Sequence, residues 1–449
     1  MDNPVTSSKI EKITITPRYK IQNGSKTELV GDVAEFDLTP FVAEFYYYET
    51  VLSPNTTATM AILNQYSNIK LLEQLYIAGG EVVTITVKDF VSANNNDKNP
   101  GLQKIKMYVE APDNRSSSKS AEAFRLKLES SWKETLENVN KIKGEQKGPA
   151  SQIANTVFKA NFNRDIEFLD QASNSLSVSF GDEKKDDTFP SIMRIAAESA
   201  YNKSAGFFFY QTKFGHHFKS IDRLIQEGKS GKNSAIERKP YEYQYNGINP
   251  GIDNLDLSSR TIISITKKTN NWIIKNQNRS DGSRPVNPIV MDPITYDWAA
   301  TGPVTFESNF ETFDIGSVKV ADTADFGKQA WGATKLENYG MFYRLPEDIC
   351  KSANNPLDSK AVAKARYTSL FGEMISMSIP CNTSLIAGSS VKLDIKRKEE
   401  GTECSFEDSI VDSDDAGLYI VAAVCHAFDR QRAYSSVLLV RDQKRKEAN

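Results

Sequence analysis

Apolar and polar residues alternate along much of the first 130 positions of the chain. Val83, Ile85 and Val87 recur at every second residue, and the same spacing is found in the segments 56–64, 104–110 and 124–130. Successive side chains of a strand point to opposite faces, so this period of two predicts half-buried strands. Their number and spacing favour an antiparallel sheet or a barrel.

Four aromatic residues in a row, Phe45-Tyr46-Tyr47-Tyr48, follow Pro40 within this region. Proline rarely continues a central strand, so Pro40 predicts a corner between two strands. In a strand two of the four rings face inward and two outward. Because exposed aromatic side chains are typical of protein interfaces, we expect Tyr46 and Tyr48 to be partner-interface candidates. An ordinary barrel surface is the alternative, and both interpretations apply equally to Phe207–Tyr210.

The middle of the chain mixes helical and strand patterns. Pro149 suits the first turn of a helix that carries Ile153, Val157 and Phe158, and further helices are expected over 132–144, 190–201 and 359–371. Strand patterns return at 373–380 and continue to residue 442, whereas the Pro-rich stretch 273–303 favours a long loop or arm. The pattern therefore predicts a β-rich multidomain α+β fold with mixed α/β insertions.

Composition limits the class of protein further. At ~150 residues per domain, 449 residues correspond to about three units. The net charge of −3 disfavours a basic nucleic-acid binder. An apolar run long enough to span a membrane and a secretory signal are both missing from the sequence, so we expect no membrane insertion. The four widely spaced cysteines indicate free thiols made in a reducing cytosol.

Catalytic and metal-binding patterns are scarce. His216 and His217 are adjacent, so in a strand they cannot grip one metal together, and we expect a turn histidine with one ring exposed. Cys425 and His426 face opposite ways for the same reason, which favours a buried structural thiol over a nucleophile pair. The acids at 412–415 lack the glycine and late glutamate of a calcium loop. We therefore expect no catalytic residue, no metal, no cofactor and no enzyme activity.

Three stretches, taken in order, resemble the central baseplate hub proteins of contractile-tailed phages and the related hub-like half of type VI secretion spikes. The first is FYYYETVLSPNTTATMAILN with LLEQLYIAGGEVVTITV, and the second is FPSIMRIAAESAYNKSAGFFFYQTKFGHHFKSIDRLI. The third is the end of the chain, where EMISMSIP, SLIAGSSVKLDI, GLYIVAAVCHAF and YSSVLLVRD follow one another. The chain departs from the family at 273–303 and in the hairpin Lys396–Gly417.

The resemblance implies two tail-tube-like antiparallel β-barrels in each chain. The first would occupy 1–112, completed by about 205–239, and the second 240–359, including the Pro-rich arm. A mixed α/β hub domain would occupy 113–204, completed by about 360–442, and 443–449 would be a polar tail. A trimer matches a hexameric face evenly only when each subunit presents two equivalent patches. The two barrels would meet that requirement.

The resemblance further implies a homotrimer in the virion, at the tail baseplate, made in the cytoplasm of the host bacterium. Its partners would be the tail spike protein, the tail tube protein and the surrounding baseplate wedge proteins. DNA would pass through its channel transiently and without specific binding, which requires a polar or acidic lining. Two alternatives stay open: another virion or tail binding component, and a tail-associated cell-wall hydrolase.

Overall fold

Antiparallel strands dominate the structure, a computed structural model, and four helices accompany them in the described part of the chain. The described residues are 9–22, 25–28, 34–65, 71–88, 104–117, 121–130, 142–180, 187–201, 204–230, 241–245, 261–270, 287–291, 298–300, 339–343, 367, 370–371, 373–397, 410–411, 416–429 and 432–441. The helix expected over 132–144 and most of the one expected over 359–371 fall outside these ranges. In the described ranges, no helix is both long and apolar enough to cross a membrane.

The N-terminal sheet unit comprises the strands of the first 130 residues. They are β1 (Lys9–Thr16), β2 (Tyr19–Gln22), β3 (Ser25–Glu28), β4 (Phe36–Asp37), β5 (Val42–Thr50), β6 (Thr57–Asn64), β7 (Val82–Lys88), β8 (Lys104–Ser117) and β9 (Glu122–Glu129), with helix α1 (Leu71–Gln74) after β6. The sheet runs β5-β6-β9-β8-β7-β1-β4, while β2 and β3 form a separate hairpin. Its strands curl around one apolar core.

The period of two predicts the faces of these strands correctly. Val83, Ile85 and Val87 are buried in the core of the N-terminal sheet unit, as are Phe124 and Leu126. The corner predicted at Pro40 is confirmed, because a 3-10 turn over Thr39–Phe41 separates β4 from β5.

The mixed unit follows and contains the other three helices. Its elements are β10 (Gly144–Pro149), α2 (Ala150–Phe162), β11 (Phe168–Leu169), β12 (Ser175–Phe180), α3 (Thr188–Glu198), β13 (Ala200–Tyr201), β14 (Ser204–Ala205), β15 (Phe207–Thr212), β16 (Gly215–Ser220) and α4 (Ile221–Ser230). Pro149 is the residue directly before α2, one position ahead of the predicted first turn, and Ile153, Val157 and Phe158 are buried. The helices α2 and α3 pack together over β15 and share an aromatic core with it.

The C-terminal sheet unit draws on two distant parts of the chain. It consists of β17 (Tyr241–Tyr245), β18 (Ser264–Asn270), β22 (Glu373–Pro380), β23 (Ser390–Arg397), β24 (Ile410–Val411), β25 (Gly417–Asp429) and β26 (Ala433–Arg441). Six of these strands form the path β18-β22-β26-β25-β23-β17, and β24 pairs with β23. This unit has its own apolar core.

A separate three-stranded sheet lies within and beyond the Pro-rich stretch. It consists of β19 (Asn287–Met291), β20 (Trp298–Ala300) and β21 (Tyr339–Tyr343). The expectation of a loop or arm over 273–303 was therefore incomplete, since two of its segments pair as strands. Pro288 is tolerated because it lies at the start of β19, where β21 pairs with it and β20 does not.

Strand β25 joins the two sheet units into one continuous sheet. Along one edge, its residues 417–420 pair with β23 and its residues 423–429 pair with β5, while β26 covers the other edge. A bulge between Val421 and Ala423 separates the two halves. Two backbone hydrogen bonds bind the bulge residues to the neighbouring segments. The N–H of Val51 donates to Ala422 O at 2.9 Å, and that of Gly388 donates to Val421 O at 2.8 Å.

The β-rich α+β fold class is confirmed, whereas the predicted domain boundaries stay a prediction. Two pairings cross those boundaries and constrain any division of the chain. Strand β9 lies beyond residue 112 yet inserts between β6 and β8, and β22 lies beyond residue 359 yet pairs with β18. Long-range hydrogen-bond ladders of this kind cannot be located from a local hydrophobic pattern.

Candidate functional site

Tyr46 and Tyr48 lie side by side on the outer face of β5. Their ring centroids are 6.5 Å apart, and Tyr48 has 37% of its surface exposed. Phe45 and Tyr47 point the other way and are buried. The predicted split of the four aromatics into two inward and two outward rings is thus confirmed, whereas the interface role of Tyr46 and Tyr48 stays a prediction.

The two tyrosines stand at the centre of a surface with few charges, which we call the tyrosine face. The ladders of the neighbouring strands place small, hydroxyl-bearing or apolar residues beside them. Across the sheet, one row reads Ser378, Ser436, Cys425, Tyr48, Thr57 and the next reads Tyr434, Ala427, Tyr46, Thr59. Charged side chains begin at its borders, with Glu44 opposite Asp429 at one end. Charge-poor surfaces with aromatic residues are characteristic of the central part of protein interfaces.

The tyrosine and cysteine side chains of the tyrosine face have pKa values above their ordinary range. Partial burial, reinforced by a hydrogen bond to Glu44, raises the pKa of Tyr46 to about 12, and the hydroxyl donates to Glu44 Oε2 at 3.1 Å. Burial also raises the pKa of Tyr48, and it raises the pKa of the Cys425 thiol to about 11. At neutral pH the face therefore offers hydroxyls, a thiol and aromatic rings without a formal charge.

The opposite side of β5 holds a buried polar joint between the units. Glu49 accepts hydrogen bonds from the Tyr47 hydroxyl at 3.1 Å, from the backbone N–H of Lys213 at 2.8 Å and from that of Ala387 at 3.1 Å. Burial raises the pKa of Glu49 despite these donors. One side chain thus ties together the N-terminal sheet unit, the mixed unit and the segment before β23.

That segment, Cys381–Ser389, is buried along its whole length although it has no regular structure. The ammonium group of Lys213 donates to Thr383 O at 2.7 Å, and Asn382 Nδ2 donates to the Tyr243 hydroxyl at 3.0 Å. A buried loop is stable only when its polar groups find partners inside the protein. Nothing in the local pattern signals such a loop, and sequence reasoning missed it.

His426 belongs to the same joint and has a structural role. Its Nε2 lies 3.2 Å from the carbonyl oxygen of Leu385, so this nitrogen carries the proton and donates. Its Nδ1 then accepts from the Ser435 hydroxyl at 2.8 Å, and the ring stacks on Tyr47. Cys425 points to the tyrosine face instead, so the two residues do not meet as a nucleophile pair.

The expectation of an exposed ring at His216-His217 is wrong, because both rings are buried. His217 is sandwiched between Phe168 and Tyr210 at centroid distances of 4.4 and 4.7 Å. His216 packs among aromatic rings of the mixed unit, and burial lowers its pKa to about 3. Both imidazoles are therefore neutral packing groups at physiological pH.

The outward pair expected in Phe207–Tyr210 is also absent, since all four rings are buried. Phe207 and Phe209 enter the core of the mixed unit. Phe208 and Tyr210 enter a second core that includes residues of α4 and β25. Strand β15 is covered on both faces because the C-terminal sheet unit packs against it, and tertiary packing of this kind is invisible in a local pattern.

A buried ion cluster in the mixed unit also escaped sequence analysis. The ammonium group of Lys219 lies 3.2 Å from Asp170 Oδ1 and 2.9 Å from Glu227 Oε1. Burial raises the pKa of Asp170, against the opposing effect of Lys219. The cluster holds β16 to α4 and has the character of a structural ion pair. In the described ranges, no group of three or more histidine, cysteine or acidic residues is arranged to hold a metal.

Comparison with known proteins finds neither a matching family model nor a matching curated protein. Several solved structures are similar over nearly the whole chain. A tail protein from Neisseria meningitidis MC58 has 9% identity and a TM-score of 0.47, covering 96% of this chain and 97% of that one. The 43 kDa tail protein of prophage MuSo2 from Shewanella oneidensis has 10% identity and a TM-score of 0.45, covering 96% and 98%.

A third similar structure is the E. coli c3393 protein, described as a component of the type VI secretion system. It has 10% identity and a TM-score of 0.38, covering 91% of this chain and 76% of that one. Phage tail proteins and type VI secretion components are also the classes that the sequence resemblance names. At these identities and TM-scores, the likeness assigns neither a family nor a function to this chain.

Proposed function

We propose that the chain is a structural protein of a phage tail baseplate, and that three copies form its central hub. One observation supports this above all others. The chain contains two sheet units of six main strands, antiparallel except for the parallel pair β17–β23, each around its own core, and β25 joins them edge to edge. This arrangement agrees with the paired tube-like barrels that the sequence resemblance implies.

The proposed role follows from symmetry. Three copies in a closed ring present six sheet units, so the ring offers a sixfold outline with true threefold symmetry. Such a ring adapts a sixfold tail tube on one side to a threefold spike on the other. The continuous sheet favours this arrangement, because it fixes the two units of a chain against each other through hydrogen bonds.

The partners of the chain follow from its proposed position as the central hub of the baseplate. The hub contacts the tail tube protein, the tail spike protein and the surrounding baseplate wedge proteins, and it lines a channel through which DNA passes without specific binding. The chain is made in the host bacterial cytoplasm and acts as an assembly component, not as an enzyme. We assign the N-terminal and C-terminal sheet units to the two tube-like barrels and the mixed unit to the hub domain. This assignment differs from the sequence prediction, which placed 360–442, and with it β22–β26, in the hub domain.

The tyrosine face is our candidate for contact with other protein chains in this assembly. Tyr46 and Tyr48 combine large apolar surface with hydroxyl groups, which suits the centre of an interface. The surrounding serine, threonine and alanine side chains are short, so a partner can approach the sheet closely. We expect the contact between copies to bury more than about 2,000 Å², as obligate assemblies do.

The experiment that tests the proposal is a mass measurement with imaging of the same sample. Light scattering on the purified chain should give about three times the mass of the 50.1 kDa polypeptide. Electron-microscopy class averages should show a threefold ring with six lobes. A monomer at micromolar concentration would contradict the hub role. A band of peptidoglycan clearing on a zymogram would favour a cell-wall hydrolase instead, and we expect no band.

A further inference from the structure

His216 and His217 are neighbours on β16, and we call them the histidine pair. Their rings leave the strand on opposite faces, and both are buried, with 0% and 2% of their surfaces exposed. His216 enters the aromatic core of the mixed unit, whereas His217 stacks on Tyr210, which belongs to the core shared with β25. A charge on the histidine pair would therefore disturb the packing on both faces of β16.

The contacts of His216 require a neutral ring. Arg164 Nη2 lies 3.4 Å from its Nδ1, and because a guanidinium only donates, Nδ1 accepts and Nε2 carries the proton. A proton added at Nδ1 would break this hydrogen bond and bring two positive charges together. Glu167 Oε2 would attract that proton, but it lies 3.9 Å away and already accepts the backbone N–H of His216. Burial and the charge of Arg164 lower the pKa of His216 to about 3, against a hydrogen bond with the backbone of Pro54.

His217 is enclosed between two aromatic rings. Its ring lies nearly parallel to those of Phe168 and Tyr210, at 12° and 8°, and its Nε2 is 2.9 Å from the Thr212 hydroxyl oxygen. Aromatic faces attract a cation, but the full burial of a charged imidazole costs more than this attraction gains. Burial, reinforced by the charge of Lys219, lowers the pKa of His217 well below its ordinary range.

Charged and titratable groups from the neighbouring elements surround the histidine pair. Besides Arg164 and Glu167, they are Lys219 on β16, Tyr210 on β15, Asp170 after β11, Glu227 on α4, Glu49 on β5 and Lys213 in the β15–β16 turn. Burial raises the pKa of Asp170 and of Glu49, so acid acts on these two carboxyl groups in the opposite direction. Asp170 can thus offset the proton uptake of one histidine, and the joint at Glu49 is preserved in acid.

We propose that the histidine pair is an acid-sensitive switch, which opens the mixed unit in mild acid while the two sheet units stay folded. A histidine whose folded-state pKa lies below its unfolded value of 6.5 contributes stability that is fully present above pH 6.5 and is lost as the pH falls toward the folded-state pKa. Opening takes up one to two protons net, so the open population should grow about 10- to 100-fold for each pH unit. The sheet units have cores of their own, and β25 joins them through backbone hydrogen bonds, which do not titrate.

Hydrogen exchange, resolved by element, tests the switch on the wild-type chain. Between about pH 5.5 and 4.5, and after correction for the intrinsic exchange rates, the protection of α2, β15 and β16 should fall about 10- to 100-fold more than that of β6 and β26. The result does not depend on whether the chain is a monomer or a trimer. Equal losses in all five elements would indicate ordinary global acid unfolding and overturn the proposal, as would unchanged protection of β16.

Variants that cannot titrate separate the histidine pair from other effects of acid. His216→Gln keeps an acceptor for Arg164, and His217→Phe keeps a ring between Phe168 and Tyr210. Each should reduce the growth of the open population by about tenfold per pH unit, since one proton fewer is taken up. His426→Gln, which alters the third histidine, is the matched control and should leave the acid response of the mixed unit unchanged. A wild-type response in both His216→Gln and His217→Phe would refute the switch.

Imidazole NMR gives an answer even if a variant of the histidine pair does not fold. The chain has three histidines, so ¹³C-labelled histidine gives a simple spectrum, and the His426→Gln chain leaves the signals of the pair alone. Both signals should keep the neutral-ring shift down to about pH 4.5 and be replaced, in slow exchange, by signals of charged rings. A signal that instead moves smoothly, with an apparent pKa near the ordinary value of about 6.5, would show that the fold accepts a charged ring and would overturn the proposal.

Discussion

The carboxylate of Glu49 accepts a hydrogen bond from the backbone N–H of Ala387, which lies 338 residues further along the chain, at 3.1 Å. The same carboxylate accepts the N–H of Lys213 from the mixed unit. Three parts of the protein are therefore held by one buried side chain. Glu49 is therefore the most informative single position for testing how strongly the three parts of the protein are held together.

Replacing Glu49 with alanine should lower the free energy of unfolding by about 2–4 kcal/mol. The substitution leaves the N–H groups of Lys213 and Ala387 buried without their acceptor, and each such group costs about 1–3 kcal/mol. Urea unfolding followed by fluorescence measures the change. Glu44→Ala, on the partly exposed face of the same strand, is the control and should cost much less. Equal losses for both variants would contradict a special role of the joint.

The stability contributed by Glu49 should depend on pH. Burial raises its pKa in the folded protein above the ordinary value of 4.5, so the folded state holds the proton more tightly than the unfolded state. Stability from this group is fully present below pH 4.5 and declines as pH rises from there through the folded-state pKa. Compared with Glu49→Gln, which cannot titrate, the wild type should therefore lose stability across that window. A difference that stays constant with pH would refute the raised pKa.

Gly388→Ala should be severely destabilising, because the added Cβ causes both backbone strain and a steric clash. Gly144→Ala causes the strain alone and therefore separates the two effects. Both Gly388 and Gly144 have φ of +79°, which strains any residue with a Cβ. A Cβ at Gly388 would lie within 2.1 Å of the Tyr210 hydroxyl, whereas nothing approaches Gly144 within 4 Å. We expect Gly144→Ala to cost about 1 kcal/mol and Gly388→Ala about 3 kcal/mol or more. Similar melting temperatures for the two variants would contradict the close packing of Tyr210 on the buried segment.

Replacing Tyr46 and Tyr48 together with aspartate should prevent trimerisation while leaving the folded monomer intact. Two charges on the tyrosine face would have to lose their hydration in a contact between copies. Tyr46→Phe with Tyr48→Phe keeps the rings and should preserve the trimer. Light scattering gives the oligomeric state, and circular dichroism confirms the fold. A trimer that survives the aspartates would show the tyrosine face to be an ordinary surface, and aggregation would indicate that the rings support the core.

Cys425 should react slowly with iodoacetamide in the native protein. Burial raises its thiol pKa from 9.0 to about 11, and only the thiolate is nucleophilic, so at pH 8 the rate falls about 100-fold from this cause. Mass spectrometry of the peptide that contains Cys425 follows the labelling, and unfolding in urea restores the rate. Alkylation at the speed of a free thiol at pH 8 would show that the tyrosine face is more open than the structure indicates.

Sequence reasoning was most successful where a local pattern determines the outcome. The alternation around Ile85 and Leu126 gives the buried face of each strand directly, and Pro40 marks a corner that is present. The prediction of exposed rings at His216-His217 and in Phe207–Tyr210 was wrong, because strands from distant parts of the chain cover residues such as His217 and Tyr210. Sequence reasoning also missed the segment Cys381–Ser389, because a buried loop is stabilised entirely by partners such as Glu49, far away in the chain. The position of Tyr46 and Tyr48 was predictable, whereas the neighbours that complete the tyrosine face come from residues near the other end of the chain.

The pairing of β5 with β25 has a consequence for synthesis of the protein in the cell. Residues 423–429 leave the ribosome more than 370 positions after the strand they cover, which at about 5–20 residues per second is roughly 20–75 s later. During that interval the aromatic edge of β5 is open to pairing with other nascent chains. Correct folding is therefore favoured when no other chain pairs with this edge before translation is nearly finished.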